Sequence, residues 1–141
     1  MPDDSTTFVV DASVAAKRWF DEPDSATAIE ALDRAQRLIA PDFLVIEIAN
    51  VAATRVKRGL EEPAQAERAV RGVAVLVDLL APSGPLALRA FEMARDHQVS
   101  VYDALYLALA EREAAAVITA DVKLVSKART AGLGHLVRNL C

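Results

Sequence analysis

The sequence predicts an α/β fold built on a mainly parallel sheet. Short β-rich runs alternate with segments of helical period, the first of these runs is apolar throughout, and acids or Pro/Gly punctuation stand where runs end. A continuously apolar strand needs cover on both faces, which is the setting of a parallel sheet.

The elements follow in order. Residues 1–7 are polar and are read as a loose lead-in, and Phe8-Val9-Val10 is the first strand, ending at Asp11. Ser13 is a candidate N-cap for a short helix from Val14 to Phe20, which stops before Pro23. Asp24 or Ser25 can cap a second helix, with Ala26, Ile29, Leu32 and Ala35 on one face and Glu30, Asp33, Arg34 and Arg37 on the other. Leu38-Ile39-Ala40 reads as a strand. Pro41-Asp42 then opens a long helix from Phe43 to about Arg58, with Gly59 as its stop. Another helix starts near Glu61-Glu62-Pro63 and carries Ala66, Val70, Val73 and Val77. Residues 75–81 fit a helix or a strand equally, because so short an apolar run has no diagnostic period. Leu86 to about His97 and Tyr102 to Glu113 are helical in pattern. Residues 116–119 form a strand, Val122 to Ala131 a helix, and His135-Leu136-Val137 a last strand. The total is four to five short strands.

Composition bounds the function. With 141 residues, 53% of them hydrophobic, the chain makes one compact domain over residues 1–141. Its 16 basic and 20 acidic residues leave a charge of −4, which excludes a strongly basic nucleic-acid module. The lone cysteine, Cys141, excludes a disulfide scaffold. Met1-Pro2-Asp3-Asp4 is acidic where a secretory signal is basic, and no uncharged apolar run approaches the ~18 residues of a membrane span. The expected setting is the cytoplasm, with no membrane partner.

Four acids carry the chemistry. Asp11 ends a strand just before a helix, Asp103 completes Ser100-Val101-Tyr102-Asp103 ahead of an apolar run, and Asp121 opens a helix. Each of these has a plain reading as a helix cap. Glu47 is different: it is the only charged residue between Asp42 and Arg55, with Phe43, Leu44, Asn50 and Val51 as its neighbours on the helix face. A carboxylate there costs several kcal/mol unless a cation or hydrogen bonds compensate it, or unless one side reaches water at a rim. Strand-to-helix turns of an open parallel sheet share one edge, where ligands bind, so all four acids are expected to meet there. Gathered carboxylates call for divalent cations, and all-oxygen ligands favour Mg²⁺ or Mn²⁺ over zinc. His97 and His135 have no zinc-like spacing. Without the four acids, 16 acids remain against 16 bases, so one or two bound ions make the site compatible with a phosphate-bearing substrate.

Val9-Val10-Asp11-Ala12-Ser13, Asp42 to Asn50, Tyr102 to Glu111 and Thr119-Ala120-Asp121-Val122-Lys123-Leu124 together resemble the PIN domain, in particular the VapC-type toxins of bacterial toxin–antitoxin pairs. The resemblance runs in order from about Phe8 to Asn139. It implies a three-layer α/β/α fold and a Mg²⁺- or Mn²⁺-dependent endoribonuclease carrying one or two ions per site. It also implies a homodimer, held inactive by a cognate VapB-type antitoxin. The family's acids carry over onto Asp11, Glu47, Asp103 and Asp121. Asp11 and Asp103 are the expected direct metal ligands, Asp121 completes the shell, and Glu47 holds a ligand water or orients the attacking one.

The expected reaction is hydrolysis of an RNA phosphodiester by metal-activated water, leaving a 5′-phosphate and a 3′-hydroxyl. Ser13, Lys17 and Thr119 are candidate phosphate contacts. The alternatives are a cap for Ser13 and a solvated amine for Lys17. Trp19 and Phe20 are either a base-stacking pair or core, and aromatics, at 5%, are too few for a stacking platform elsewhere. Arg55, Lys57 and Arg58 either follow an RNA backbone or form a solvated helix face. Two rivals keep the fold: a catalytically silent interaction module and a nuclease acting on DNA. A phosphoacceptor receiver domain is disfavoured, because Asp3-Asp4 precede the first strand and only Asp11 ends it.

Overall fold

The computed structural model describes residues 7–140. Five strands, β1 (Thr7–Val10), β2 (Arg37–Pro41), β3 (Leu79–Ala81), β4 (Ala116–Thr119) and β5 (Val137–Asn139), form one sheet in the order β3-β2-β1-β4-β5. Every neighbouring pair is parallel. Successive side chains of a strand point to opposite faces. Val9 and Val10 are both fully buried, and so are Ile39 and Ala40, so the sheet is covered on both faces. Among the described residues, seven α-helices give the three-layer α/β/α arrangement.

The helices are α1 (Ala12–Ala15), α2 (Ser25–Arg34), α3 (Phe43–Lys57), α4 (Pro63–Leu76), α5 (Ala87–Asp96), α6 (Val101–Glu113) and α7 (Val122–Thr130). Pro63 takes the first turn of α4, where its missing N–H costs nothing. Gly59, at φ +72°, stops α3 as expected. Helix α6 is buried on every face from Ala104 to Ala110 and packs against β1 and β2. Apolar character all round marks it as the central helix of the core.

Several boundaries differ from expectation. Thr7 is not lead-in: it pairs with Arg37 and opens β1. Residues 1–6 and Cys141 lie outside the described residues. The first helix begins at Ala12 rather than Val14 and tightens into a 3₁₀ turn at Ala16–Arg18, because Asp11 and not Ser13 is its N-cap. Neither Asp24 nor Ser25 caps α2 by its side chain: Asp24 sits at φ 70°, and Ser25 Oγ donates to the Phe20 carbonyl. The ambiguous run divides at Val77–Asp78. The Asp78 amide donates to the Leu38 carbonyl, and its carboxylate accepts from the Leu38 amide, which docks β3 beside β2. The last strand starts at Val137. His135 and Leu136 instead belong to a 3₁₀ turn, closed by the Leu136 amide on the Leu133 carbonyl.

The chain runs outward from β1 through β2 to β3, then returns to add β4 and β5 on the other side. Strand order therefore reverses between β1 and β4. The crevice at the carboxyl ends of those two strands is the usual ligand position of an open α/β sheet.

Candidate active site

Asp11 leaves the end of β1 in extended backbone, and its Oδ1 accepts from the Val14 amide to start α1. The same carboxylate takes two hydroxyls, Ser13 Oγ at 2.6 Å on Oδ1 and Thr119 Oγ1 at 2.5 Å on Oδ2. Ser13 Oγ in turn accepts from the Ala120 amide, and Thr119 Oγ1 from the Asp121 amide. The ends of β1 and β4 are thus tied at the switch point through one acid and two hydroxyls. Asp121 caps α7, its Oδ1 accepting from the amides of Lys123 and Leu124.

Asp103 lies in the first turn of α6, where its amide donates to Ser100 Oγ. Glu47 projects from α3, and its Oε1 accepts a 2.5 Å hydrogen bond from the Tyr106 hydroxyl of α6. All four carboxylates border one cavity of about 160 Å³, together with Ala12, Ser13, Tyr106 and Leu124.

Burial, and secondarily the charges of neighbouring carboxylates, raise the proton affinities of these acids. Burial pushes the Asp11 carboxyl up to about 6, against the pull of its three hydrogen bonds, and Glu47 adds to the rise. Burial also raises Glu47, opposed by the Tyr106 hydroxyl and helped by the charge of Asp103. Asp103 is raised by burial and then by Asp121, with Lys127 pulling the other way. The Tyr106 phenol is driven far above its ordinary range by burial, then by the charge of Glu47 and its hydrogen bond to that acid, so it stays a donor. The ionised forms are therefore disfavoured in this cavity, and either protonation or a bound cation relieves the penalty.

The model of the PIN domain matches residues 8–129. The chain belongs to the PIN-domain family. Within it the chain is of the VapC type: it is 33% identical over 121 residues to Ribonuclease VapC3 of Pyrobaculum aerophilum, covering 84% of this chain and 92% of that protein. The crystal structure of PAE2754 from Pyrobaculum aerophilum superposes with a TM-score of 0.72 at 21% identity, over 96% of this chain and 91% of that one, a likeness in fold.

The donors of this PIN domain are carboxylates and hydroxyls, the hard oxygen set that Mg²⁺ and Mn²⁺ prefer. Among the described residues, no three Asp, Glu, His or Cys side chains come close enough together to hold one ion. An ion held here would therefore take one or two carboxylates directly and keep several waters. The residues fit the group.

The other candidates divide. Ser13 reaches the cavity. Thr119 is fully buried behind Asp11, which makes it a support of that carboxylate rather than a phosphate contact. Lys17 is not brought to the cavity: its ammonium is held by Glu22 at 3.2 Å and by the Pro23 carbonyl. Arg55 is likewise committed, to Glu22 and Glu61, with Phe20 against its guanidinium. Phe20 is buried core, and Trp19 packs against that core and against Gly72. Tyr106 is a site residue that the sequence pattern does not single out. A signal is nonetheless available: the residue lies three after Asp103, hence on nearly the same helix face.

Proposed function

We propose that this PIN domain is the toxin of a toxin–antitoxin pair and acts as a metal-dependent endoribonuclease. The observation that carries the reading is the cavity at the β1/β4 switch point, bordered by Asp11, Glu47, Asp103 and Asp121. The relative named Ribonuclease VapC3 supports RNA as the substrate.

Asp11 and Asp103 would hold Mg²⁺ or Mn²⁺ directly, one or two ions per site, and Asp121 would complete the shell through a bound water. Bound there, the ion supplies positive charge to the scissile phosphate oxygens and acidifies water. Glu47 has Oε1 fixed by Tyr106, which leaves Oε2 to orient the attacking water and accept its proton. Ser13 Oγ sits where it can donate to a phosphate oxygen once it turns from Asp11. Thr119 and the Ala120 amide fix Asp11 and Ser13 in the crevice, so this part of the site is preorganised where β1 and β4 end. The products would be a 5′-phosphate and a 3′-hydroxyl. The working unit would be a homodimer, silenced by a VapB-type antitoxin.

The test is incubation of antitoxin-free protein with total RNA in Mg²⁺, Mn²⁺ or EDTA, with cut sites mapped by end sequencing. Cleavage should require the metal. Asp11→Asn and Asp103→Asn should each lower it by more than the ~10–100-fold typical of residues that only support a metal ligand. Cutting that survives EDTA, or variants that cut at the wild-type rate, would remove the mechanism. A protein that cuts DNA and spares RNA would reassign the substrate.

A further inference from the structure

Phe43 and Tyr102 lie four residues before Glu47 and Tyr106, on α3 and α6 respectively. Residues four apart share a helix face, one turn from each other. The two helices therefore meet in two successive cross-pairs. The inner pair is the Tyr106–Glu47 hydrogen bond at the acid cavity. The outer pair is a ring stack, with centroids 5.2 Å apart and planes within 16°.

The two rings are unequally covered. Phe43 packs against the core, whereas Tyr102, immediately before Asp103, remains 60% exposed. One face of the Tyr102 ring is occupied by Phe43, and burial does not account for the rest. The cavity itself, at about 160 Å³, is well below the ~300 Å³ at which pockets begin to enclose small organic ligands. A nucleotide whose phosphate sits among the carboxylates has to keep its base outside. The same two helices place an open aromatic face one turn away.

Resting on the reading of the chain as an RNA-cleaving enzyme, and against the expectation from composition that aromatics are too few for a stacking platform away from Trp19 and Phe20, we infer that Tyr102, backed by Phe43, is a nucleobase platform that stacks a base of single-stranded RNA beside the scissile phosphate. Phe43 holds the Tyr102 ring in plane, so a base adds a third layer to an existing stack. Stacking tolerates any base, because each has a π-face. The platform therefore sets the register of the strand over the acids and leaves sequence choice to other contacts. The competing occupant is a second copy of this chain, since Ile46 of α3 and Val122 of α7 are also exposed.

The experiment uses short single-stranded RNAs spanning a mapped cut, with 2-aminopurine at successive positions. The proteins are wild type, Tyr102→Phe, Tyr102→Ala, and Phe43→Leu combined with Tyr102→Ala so that the lower ring cannot substitute. Cleavage is followed in Mn²⁺, fluorescence on an Asp11→Asn background that keeps the RNA intact, and assembly by sedimentation. Tyr102→Ala should raise KM on the order of ten-fold. It should also abolish 2-aminopurine quenching at one position, with kcat at saturating RNA and sedimentation nearly unchanged, and Tyr102→Phe should restore both signals. A double variant that cleaves and quenches as wild type overturns the inference. So does a loss that follows altered sedimentation, which would assign this face to a second copy. Wild-type protein that cuts no RNA in either metal overturns the nuclease reading itself, before any variant is compared.

Discussion

Asp11 performs two tasks whose electrostatic demands conflict. As the N-cap of α1 and acceptor of two hydroxyls it is best ionised, yet its burial beside Glu47 raises its pKa to about 6. Its unfolded value is the ordinary 3.8. A folded pKa above the unfolded one stabilises the protein below about pH 4, and that stabilisation is lost as pH rises through about 6. The two-unit gap corresponds to about 3 kcal/mol. In EDTA, wild type should therefore lose stability relative to Asp11→Asn by about that amount between pH 4 and pH 7.5, as read from urea unfolding at each pH. A constant difference between the two proteins would show that Asp11 titrates normally. From sequence, Asp11 was legible as both cap and ligand, because a carboxylate at a strand-to-helix turn suits either role. Lys17 was misplaced for a related reason: helical spacing puts it near Ser13, but only the fold shows that Glu22 and Pro23 reach its ammonium first.

At the scale of elements, the long periodic helices and the apolar strands β1, β2 and β4 were legible, whereas α1 and β5 were not. Helices α3, α6 and α7 and strand β4 lie within a residue or so of where pattern and punctuation placed them. Helix α1, four residues long, has too little period to read, and β5 depends on pairing with β4 that local sequence does not encode. Packing between elements is similarly hidden. Gly72 lies inside α4, where alanine would ordinarily gain up to ~1 kcal/mol of helix propensity. A β-carbon there would sit 2.7 Å from Cζ2 of the Trp19 indole, a rigid ring whose backbone carbonyl is held by Gln65 Nε2. Overpacking of that kind costs ~1–3 kcal/mol, more than propensity returns. Gly72→Ala should lower stability by about 1 kcal/mol, with a change in Trp19 fluorescence. A variant more stable than wild type would mean that α4 shifts freely against the Trp19 turn.

For the whole molecule, topology gives the scattered acids their meaning. Only when β4 returns beside β1 do Asp11 and Asp121 meet, and only when α3 and α6 pack together do Glu47 and Asp103 join them. The family resemblance anticipated this convergence, and the parallel-sheet rule supplies its physical reason. The folded chain holds like charges that its unfolded form keeps apart, so an ion binding at the cavity favours the folded state alone. Linkage sets the size of the effect: at one hundred times its dissociation constant, such an ion adds about 2.7 kcal/mol. For a domain of this length, that corresponds to a rise in melting temperature on the order of 8 °C. Titrating Mg²⁺ or Mn²⁺ into metal-free protein should produce this rise in wild type. It should not do so in Asp11→Asn combined with Asp103→Asn, whose metal-free form should already melt higher at neutral pH. A rise of equal size in both proteins would place the ion elsewhere on the surface. The repulsion at the switch point would then have to be relieved by protonation rather than by metal.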